Sequence, residues 1–398
     1  MKPSSEKTKS ASKVSSRGSL EGRVPSLRFP GFEGEWETAR IGELYSERSQ
    51  RCTKPMELLS VTISDGVVPR SNIESKDNSS EDKSNYKVVH VGDMVYNTMR
   101  MWQGACGVSS FRGIVSPAYT ILKEVMRFDR KFMASLFKTK RLINDFRKNS
   151  QGLTSDTWNL KYPQIAIIKV SLPDIEEQQQ IATFLSLLDS RIAAQRKLVE
   201  LLKKQKRGLL KEIFERSAEG EYKSFYDIVV RRSEKVTPTK DSGLDCIELE
   251  HIEPETGLLL GSVQLREQDS LKNLCKPNDI VFGRLRPYLR KFLFAKTECA
   301  VSSETWVLTA ADGILPKFLF YLIQSEPFMQ AANVSSGTKM PRSEWSNVAN
   351  AKFHIPNAGR QLAIANCLSE VDTRIHQTQR VISAMEVYKR GLLQALFV

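Results

Sequence analysis

The chain is written twice. The stretch from Leu172-Pro173 to Phe214 aligns without a gap on Ile355-Pro356 to Phe397, at an offset of 183 residues. The matches include Gln178/Gln361, Ile181/Ile364, Ala182/Ala365, Leu185/Leu368, Ser186/Ser369 and Asp189/Asp372. They run on through Arg191-Ile192/Arg374-Ile375 to Lys206-Arg207-Gly208-Leu209-Leu210 against Lys389-Arg390-Gly391-Leu392-Leu393. A fainter correspondence precedes each block at an offset of 186: Gly34-Glu35-Trp36 with Gly220-Glu221-Tyr222, and Gly92-Asp93-Met94-Val95-Tyr96 with Asn278-Asp279-Ile280-Val281-Phe282. Arg100-Met101-Trp102 likewise pairs with Arg286-Pro287-Tyr288, and Val115-Ser116 with Val301-Ser302. Three fewer residues between Ser302 and Ile355 reconcile the two offsets. A repeat of this length fixes the architecture before any other reading: variable, constant, variable, constant.

In each constant block the apolar residues recur alternately at four and three. The first copy gives Ile181, Leu185, Leu188, Ile192, Gln195, Val199, Leu202, Lys206, Leu209 and Ile213. The second gives Ile364, Leu368, Val371, Ile375, Thr378, Ile382, Met385, Lys389, Leu392 and Leu396. This is a heptad seam, the mark of coiled-coil helices. Polar residues interrupt it at the same two places, Gln195/Thr378 and Lys206/Lys389, where they would fix register at some loss of stability. Asp174 and Asn357 each follow a proline and can cap, and Glu176 and Glu177 suit a first turn. A helix of about 37 residues is a rod on the order of 55 Å long. Two such rods, related by duplication, are expected to pack on each other as a spacer. The alternative is that each packs on its own globular domain.

The intervening segments, Val24 to Ser171 and Ala218 to His354, mix short β-like runs with helical pieces, which makes the chain α+β. Val88 to Tyr96 reads as strand, turn, strand, and so does Lys276 to Phe282. Phe128 to Phe146 and Lys317 to Ala332 have helical spacing. The boundaries expected are a disordered tail over 1–22, a first domain over 23–171, a helix over 172–216, a second domain over 217–354 and a second helix over 355–398.

Two loop regions in each domain carry chemistry. The first follows the Gly/Asn-Asp turn: Asn97-Thr98-Met99-Arg100-Met101-Trp102-Gln103 in one copy, and Arg284-Leu285-Arg286-Pro287-Tyr288-Leu289-Arg290-Lys291 in the other. Arginine can bond guanine O6 and N7 in a bidentate way, glutamine can do so to adenine, and both bind phosphate. The second spans Gln151 to Asn159 and Ser336 to Trp345, where Thr154, Ser155, Asn159, Thr338, Lys339 and Arg342 suit backbone approach to phosphates and base edges. Trp158 and Trp345 read as packing residues, and Arg286 and Arg290 read equally as solvated surface charge. Recurrence in both copies of a chain with formal net charge +13 is what favours a polyanion partner.

The same residues resemble a known family, the specificity subunits of type I restriction–modification systems. The resemblance is carried by Leu27-Arg28-Phe29-Pro30-Gly31-Phe32 leading into Glu35-Trp36 and Ile41-Gly42-Glu43-Leu44. It continues in Ser336-Gly337-Thr338, Pro341 and Glu344-Trp345, and in the paired Leu172-Pro173…Glu177-Gln178-Gln179-Gln180-Ile181-Ala182 and Ile355-Pro356…Gln361-Leu362-Ala363-Ile364-Ala365. It implies two target-recognition domains joined by two helices in an antiparallel coiled coil with pseudo-two-fold symmetry. Each domain would read half of a bipartite DNA site, and the coil would set the gap between the halves. With the two loop regions as readers, the candidate DNA-contacting set is Arg100, Trp102, Gln103, Thr154, Ser155, Asn159, Arg284, Arg286, Tyr288, Arg290, Lys291, Thr338, Lys339 and Arg342. It also implies two methyltransferase subunits carrying S-adenosylmethionine and two restriction subunits using ATP and Mg. Gly152-Leu153-Thr154 departs from the second copy in lacking a counterpart of Lys339.

Nothing in the sequence offers chemistry of the chain's own. An amino-methyltransferase needs an [N/D]-P-P-[Y/F] loop, and the nearest approach is Ser116-Pro117-Ala118-Tyr119. No phosphate-binding G-x-x-x-x-G-K-[S/T] loop occurs. A nuclease-like pairing of Pro173-Asp174 with Glu221-Tyr222-Lys223 has a coiled-coil helix between its halves. His90, His251, His354 and His376 lack metal-ligand spacing, and six scattered cysteines read as reduced cytosolic thiols. No apolar run approaches a membrane span, and the Lys/Ser-rich start has no signal-peptide core, so the chain reads as cytoplasmic. The rival expectations are a coiled-coil scaffold that does not recognise DNA, and an enzyme of unrecognised type.

Overall fold

The computed structural model describes residues 24–73, 79–154, 156–216, 220–334 and 340–398. The expected tail over 1–22 lies outside them. Two compact units result, one from residues 1–191 with 385–398 and one from residues 192–384. Each unit therefore takes a segment of both long helices, Ile175–Lys211 and Ala358–Ala395. A π-helical turn, Glu212–Arg216, extends the first.

The first unit is built on an antiparallel sheet in the order Tyr45–Glu47, Tyr119–Glu124, Met94–Asn97, Cys106–Val108. The second repeats that order with Val229–Arg232, Thr305–Ala310, Ile280–Gly283 and Phe292–Phe294. In each, a separate strand pair ties the domain's start to its end: Glu37–Arg40 with Lys169–Leu172, and Glu221–Ser224 with Lys352–Ile355. A third pairing, Lys87–Val89 with Gly113–Val115, recurs as Lys272–Cys275 with Cys299–Val301. There three further strands enlarge it to five, one of them parallel. The chain is a duplicated α+β protein.

The equivalence reaches single side chains. Asp93 accepts Arg48 Nε and Nη2 at 2.9 and 3.1 Å and the His90 amide at 2.8 Å. Asp279 accepts Arg232 Nε and Nη2 at 2.8 and 3.2 Å and the Lys276 amide at 2.8 Å. Both carboxylates are buried, so the bidentate fork and the turn amide are what make their burial tolerable. Both lie just after a left-handed residue, Gly92 at φ +91° and Asn278 at φ +70°, types that accept this region at little cost.

The long helices begin where the caps predict. Asp174 Oδ1 accepts the Glu177 amide at 2.8 Å, and Asn357 Oδ1 accepts the Arg360 amide at 2.9 Å. Gln178 and Gln361 then repeat one bridge: each donates to the carbonyl of Pro173 or Pro356 at 2.9 Å and accepts the amide of Asp129 or Leu315 at 2.9 Å. That fastens each helix to the helical pair of its own domain. Every seam position is buried or half-buried.

Within the second unit Val199 and Leu202 pack with Val371 and Ile375, Lys206 meets Asp372, and Leu210 shares a core with Ile364 and Leu368, so the helices run antiparallel there. Within the first, Ile181 and Leu185 share a core with Leu392 and Leu396. The two packing alternatives coexist. That same core holds Trp36, Tyr45, Phe132 and Phe146, and the second unit's core joins Leu210, Ile364 and Leu368 to Phe225, Phe282, Phe318 and Phe328. The Leu27–Phe32 segment is structural: Arg28 grips the fully buried Glu177 carboxylate at 2.9 and 2.7 Å, and Phe29 meets Phe184 edge-on.

Two expectations need correction. The stretches 128–146 and 317–332 are each two helices, Arg130–Leu136 with Lys140–Asn149 and Pro316–Leu322 with Glu326–Asn333. Thr139 caps the second member of the first pair by accepting the Leu142 amide, and Pro327 stands near the start of its counterpart. Lys276 to Phe282 is turn and strand only, because the preceding strand ends at Cys275.

Candidate nucleic-acid interface

The two loop regions of each domain form one surface, held by the same backbone bonds in both copies. In the first domain the Thr98 amide donates to the Ala118 carbonyl at 3.2 Å, and the Leu160 amide donates to the Thr98 carbonyl at 2.9 Å. In the second the Arg284 amide donates to the Glu304 carbonyl at 3.0 Å, and the Ser343 amide donates to the Arg284 carbonyl at 2.8 Å. A further bond, from the Arg286 amide to the Pro341 carbonyl at 2.8 Å, closes a bridge between Leu285 and Arg342. Loops 186 or 183 residues from their counterparts thus occupy equivalent places on equivalent sheets.

In the first domain Arg100 is exposed and enters a 3-10 turn, Met101–Gln103, on which Trp102 and Gln103 are half-buried. Trp102 donates to the Met99 carbonyl at 3.1 Å and meets Trp158 edge-on at 5.3 Å, which joins the two loops by an aromatic pair. Thr154 is exposed, with the Thr157 hydroxyl folded onto its carbonyl at 2.9 Å. Asn159 is bridged to Gln151, and its Oδ1 is buried without a partner. It opens on a cavity of about 270 Å³ lined also by Lys87, Thr98, Ala118, Lys161 and Tyr162. Beside this lies a wider concavity of about 510 Å³ that includes Thr62, Asn97, Arg100, Ser116 and Tyr119. Ser155 lies outside the described residues.

In the second domain the structure brings Arg284 and Arg342 together on Glu304. Arg342 makes a fork to both carboxylate oxygens, with Nε 3.0 Å from Oε2 and Nη2 2.9 Å from Oε1, and Arg284 Nε stands 3.3 Å away. The Arg342 guanidinium holds the Glu304 carboxyl below the usual carboxylate range, with Arg284 adding to the effect. Tyr288, on the 3-10 turn Pro287–Leu289, and Arg286, just before it, are exposed. Arg290 is taken up by Glu326 and the Gln324 carbonyl, and Lys291 by the Leu249 carbonyl, so both brace the loop. Thr338 and Lys339 lie outside the described residues. Trp345 packs edge-on against Trp306 and Phe225, a core role.

Sequence reasoning passed over Glu304 and left Thr98 and Ala118 out of the contacting set. Glu304 lies 38 residues from Arg342, but the two repeat offsets place Thr98 on Arg284, Ala118 on Glu304 and Asn159 on Arg342. Among the described residues no group of three or more His, Cys, Asp or Glu side chains is placed to hold a metal ion, and no helix is long and apolar enough to cross a membrane.

Comparison with known proteins shows one consistent likeness. A family model described as the type I restriction modification DNA specificity domain matches residues 33–204. The MjaVIII specificity subunit of a type I restriction enzyme from Methanocaldococcus jannaschii is 25% identical over 418 residues, covering 93% of each chain. Over nearly its whole length this chain is similar to the type I specificity subunits. A second relative, the HindI specificity subunit of Haemophilus influenzae, is 27% identical over 32% of this chain and 29% of its own length. In fold, the chain is similar to the S subunit of a type I restriction–modification system from M. genitalium, with a TM-score of 0.55 over 94% of this chain and 99% of that one, at 13% identity. It is also similar, with a TM-score of 0.54 and 14% identity, to a chain from a type I system solved to explain complex assembly and conformational transition; 94% of this chain and 98% of that one are covered.

Proposed function

We propose that this chain is the sequence-specific DNA-binding subunit of a type I restriction–modification complex. Each two-loop surface reads one half of a bipartite site, and the paired helices set the unread gap between the halves. The observation that carries this reading is the recurrence of one hydrogen-bonded platform in two domains whose exposed side chains differ. A duplicated scaffold with divergent readers suits two different half-sites. Arg100, Arg286 and Arg342 supply forks for base edges or phosphates, and Trp102 and Tyr288 supply rings beside them.

The chain itself contributes recognition and no catalysis. Two methyltransferase subunits, holding S-adenosylmethionine, add methyl groups to adenines of the site, and two restriction subunits, using ATP and Mg, join them to cleave unmodified DNA in the cytoplasm. The test is genome-wide adenine methylation in cells carrying this chain and its methyltransferase partner, against cells lacking this chain. One bipartite motif that disappears with the gene supports the reading and names both half-sites. An unchanged methylome despite a soluble complex overturns it in favour of a scaffold.

A further inference from the structure

The three positions matched across the platforms carry opposite chemistry. In the second domain they are Arg284, Glu304 and Arg342, a charged cluster in which one carboxylate aligns two guanidinium groups, with 26% of the Glu304 side chain and 43% of the Arg342 side chain exposed. In the first they are Thr98, Ala118 and Asn159, with no charge at all. There the Thr98 hydroxyl closes onto the Ala118 carbonyl at 2.7 Å, the Asn159 carbonyl oxygen is buried with no partner, and all three residues line the cavity of about 270 Å³. Two backbone bonds that hold these positions are the same in both domains, although Asn159 is bridged to Gln151 where Arg342 is bridged to Leu285.

An arginine fork fits guanine O6 and N7, and a carboxylate accepts from cytosine N4. An asparagine amide fits adenine, its oxygen taking a hydrogen from N6 while its nitrogen donates to N7. A carboxylate between the two arginines also repels phosphate, which favours their use on bases over backbone. We infer that these three matched positions set base specificity, the first domain reading an A·T pair there and the second a G·C pair. This rests on the DNA-recognition function proposed above. Glu304 is a positioning residue in this scheme and Arg342 is the reader; Thr98 and Ala118 shape the space that Asn159 uses.

The test exchanges the triads in the full chain, co-produced with its methyltransferase partner in a host without background adenine methylation. One variant carries Thr98→Arg, Ala118→Glu and Asn159→Arg; the other carries Arg284→Thr, Glu304→Ala and Arg342→Asn. Each is expected to alter one base pair of one half-site and leave the other half-site as it was. A wild-type chain that yields no bipartite motif removes the function itself. A wild-type bipartite motif that both exchanges leave unchanged overturns the present inference alone.

Should an exchange abolish methylation, the single variant Arg342→Asn decides, since its side chain is exposed. Competition binding with oligonucleotides substituted one base pair at a time is expected to show discrimination falling on the order of tenfold to a hundredfold at one position. Uniform weakening at every position, or no change at any, would assign Arg342 to the phosphate backbone or to the fold and sink the idea.

Discussion

Lys206 Nζ lies 2.7 Å from Asp372 Oδ1 between the two long helices of the second unit. Its counterpart in the first unit is Lys389 on Asp189. By the repeat, Lys206 matches Lys389 and Asp189 matches Asp372, so the pairs are one contact with the helices' roles exchanged. Antiparallel duplicated helices require that reciprocity, and it identifies the polar interruption of the heptad seam as a register device.

The two pairs differ in burial, and stability should follow. Lys206 and Asp372 are 5% and 10% exposed, with the rings of Phe292 and Tyr321 within 6 Å of the ammonium and the Tyr321 hydroxyl 3.0 Å from Asp372. Burial pushes the Lys206 ammonium below its ordinary pKa, and Asp372 opposes that shift. Lys206→Ala leaves a buried carboxylate unpaired and should destabilise the second unit by about 3–5 kcal/mol. Lys389→Ala, at a pair 28% and 53% exposed, should cost under about 1 kcal/mol. Denaturant unfolding of both variants checks this, and equal losses would refute the burial argument. The double change Lys206→Met with Asp372→Leu leaves no buried charge unpaired and should cost less than Lys206→Ala, the remaining loss being the acceptor of the buried Tyr321 hydroxyl.

His376 gives the second unit a pH dependence. Burial lowers its pKa from the ordinary 6.5, with Asp372 raising it and Lys206 lowering it further. The folded chain therefore binds the proton less readily than the unfolded chain does. The stability this contributes is complete above pH 6.5 and is lost as the pH falls through the lowered folded value. Thermal melts of the wild type and of His376→Gln between pH 8 and pH 5 should diverge below pH 6.5, with the variant losing less. Parallel curves would show that other groups govern the acid limb.

The heptad seam, the caps at Asp174 and Asn357 and the Gly92/Asn278 turns were legible in the sequence because each depends on neighbours within a few positions. The division of residues 128–146 into two helices was not, since apolar spacing continues across the Thr139 cap. The bidentate pairs Arg48–Asp93 and Arg232–Asp279 span 45 and 47 residues. No local pattern announces them, although their recurrence at near-constant offset was available. The candidate readers were found as loops; what Arg290, Lys291 and Glu304 do within those loops depends on contacts with Glu326, Leu249 and Arg342 that only the tertiary fold supplies.

If the helices space the readers, their length should control the site. Removing one heptad from each, seven residues centred on Gln195 and on Thr378, keeps the seam in phase because the repeat is preserved. It also retains both Lys–Asp pairs. The expected methylome has unchanged half-sites and a shorter gap. A motif with its original gap would mean that spacing is set elsewhere.

Arg286 separates binding from stability. It is exposed, makes no ion pair among the described residues, and sits in the left-handed region at φ +50°. A residue with a Cβ is strained there by about 1–2 kcal/mol, a cost that glycine avoids. Arg286→Gly should therefore leave the second unit at least as stable as the wild type, while both Arg286→Gly and Arg286→Ala weaken DNA binding and relax the half-site read by that domain. Denaturant midpoints and methylome motifs measured on the same variants decide the matter. Unchanged affinity with an unchanged motif would remove Arg286 from the interface, and a fall in stability matching the loss of binding would make its role one of folding.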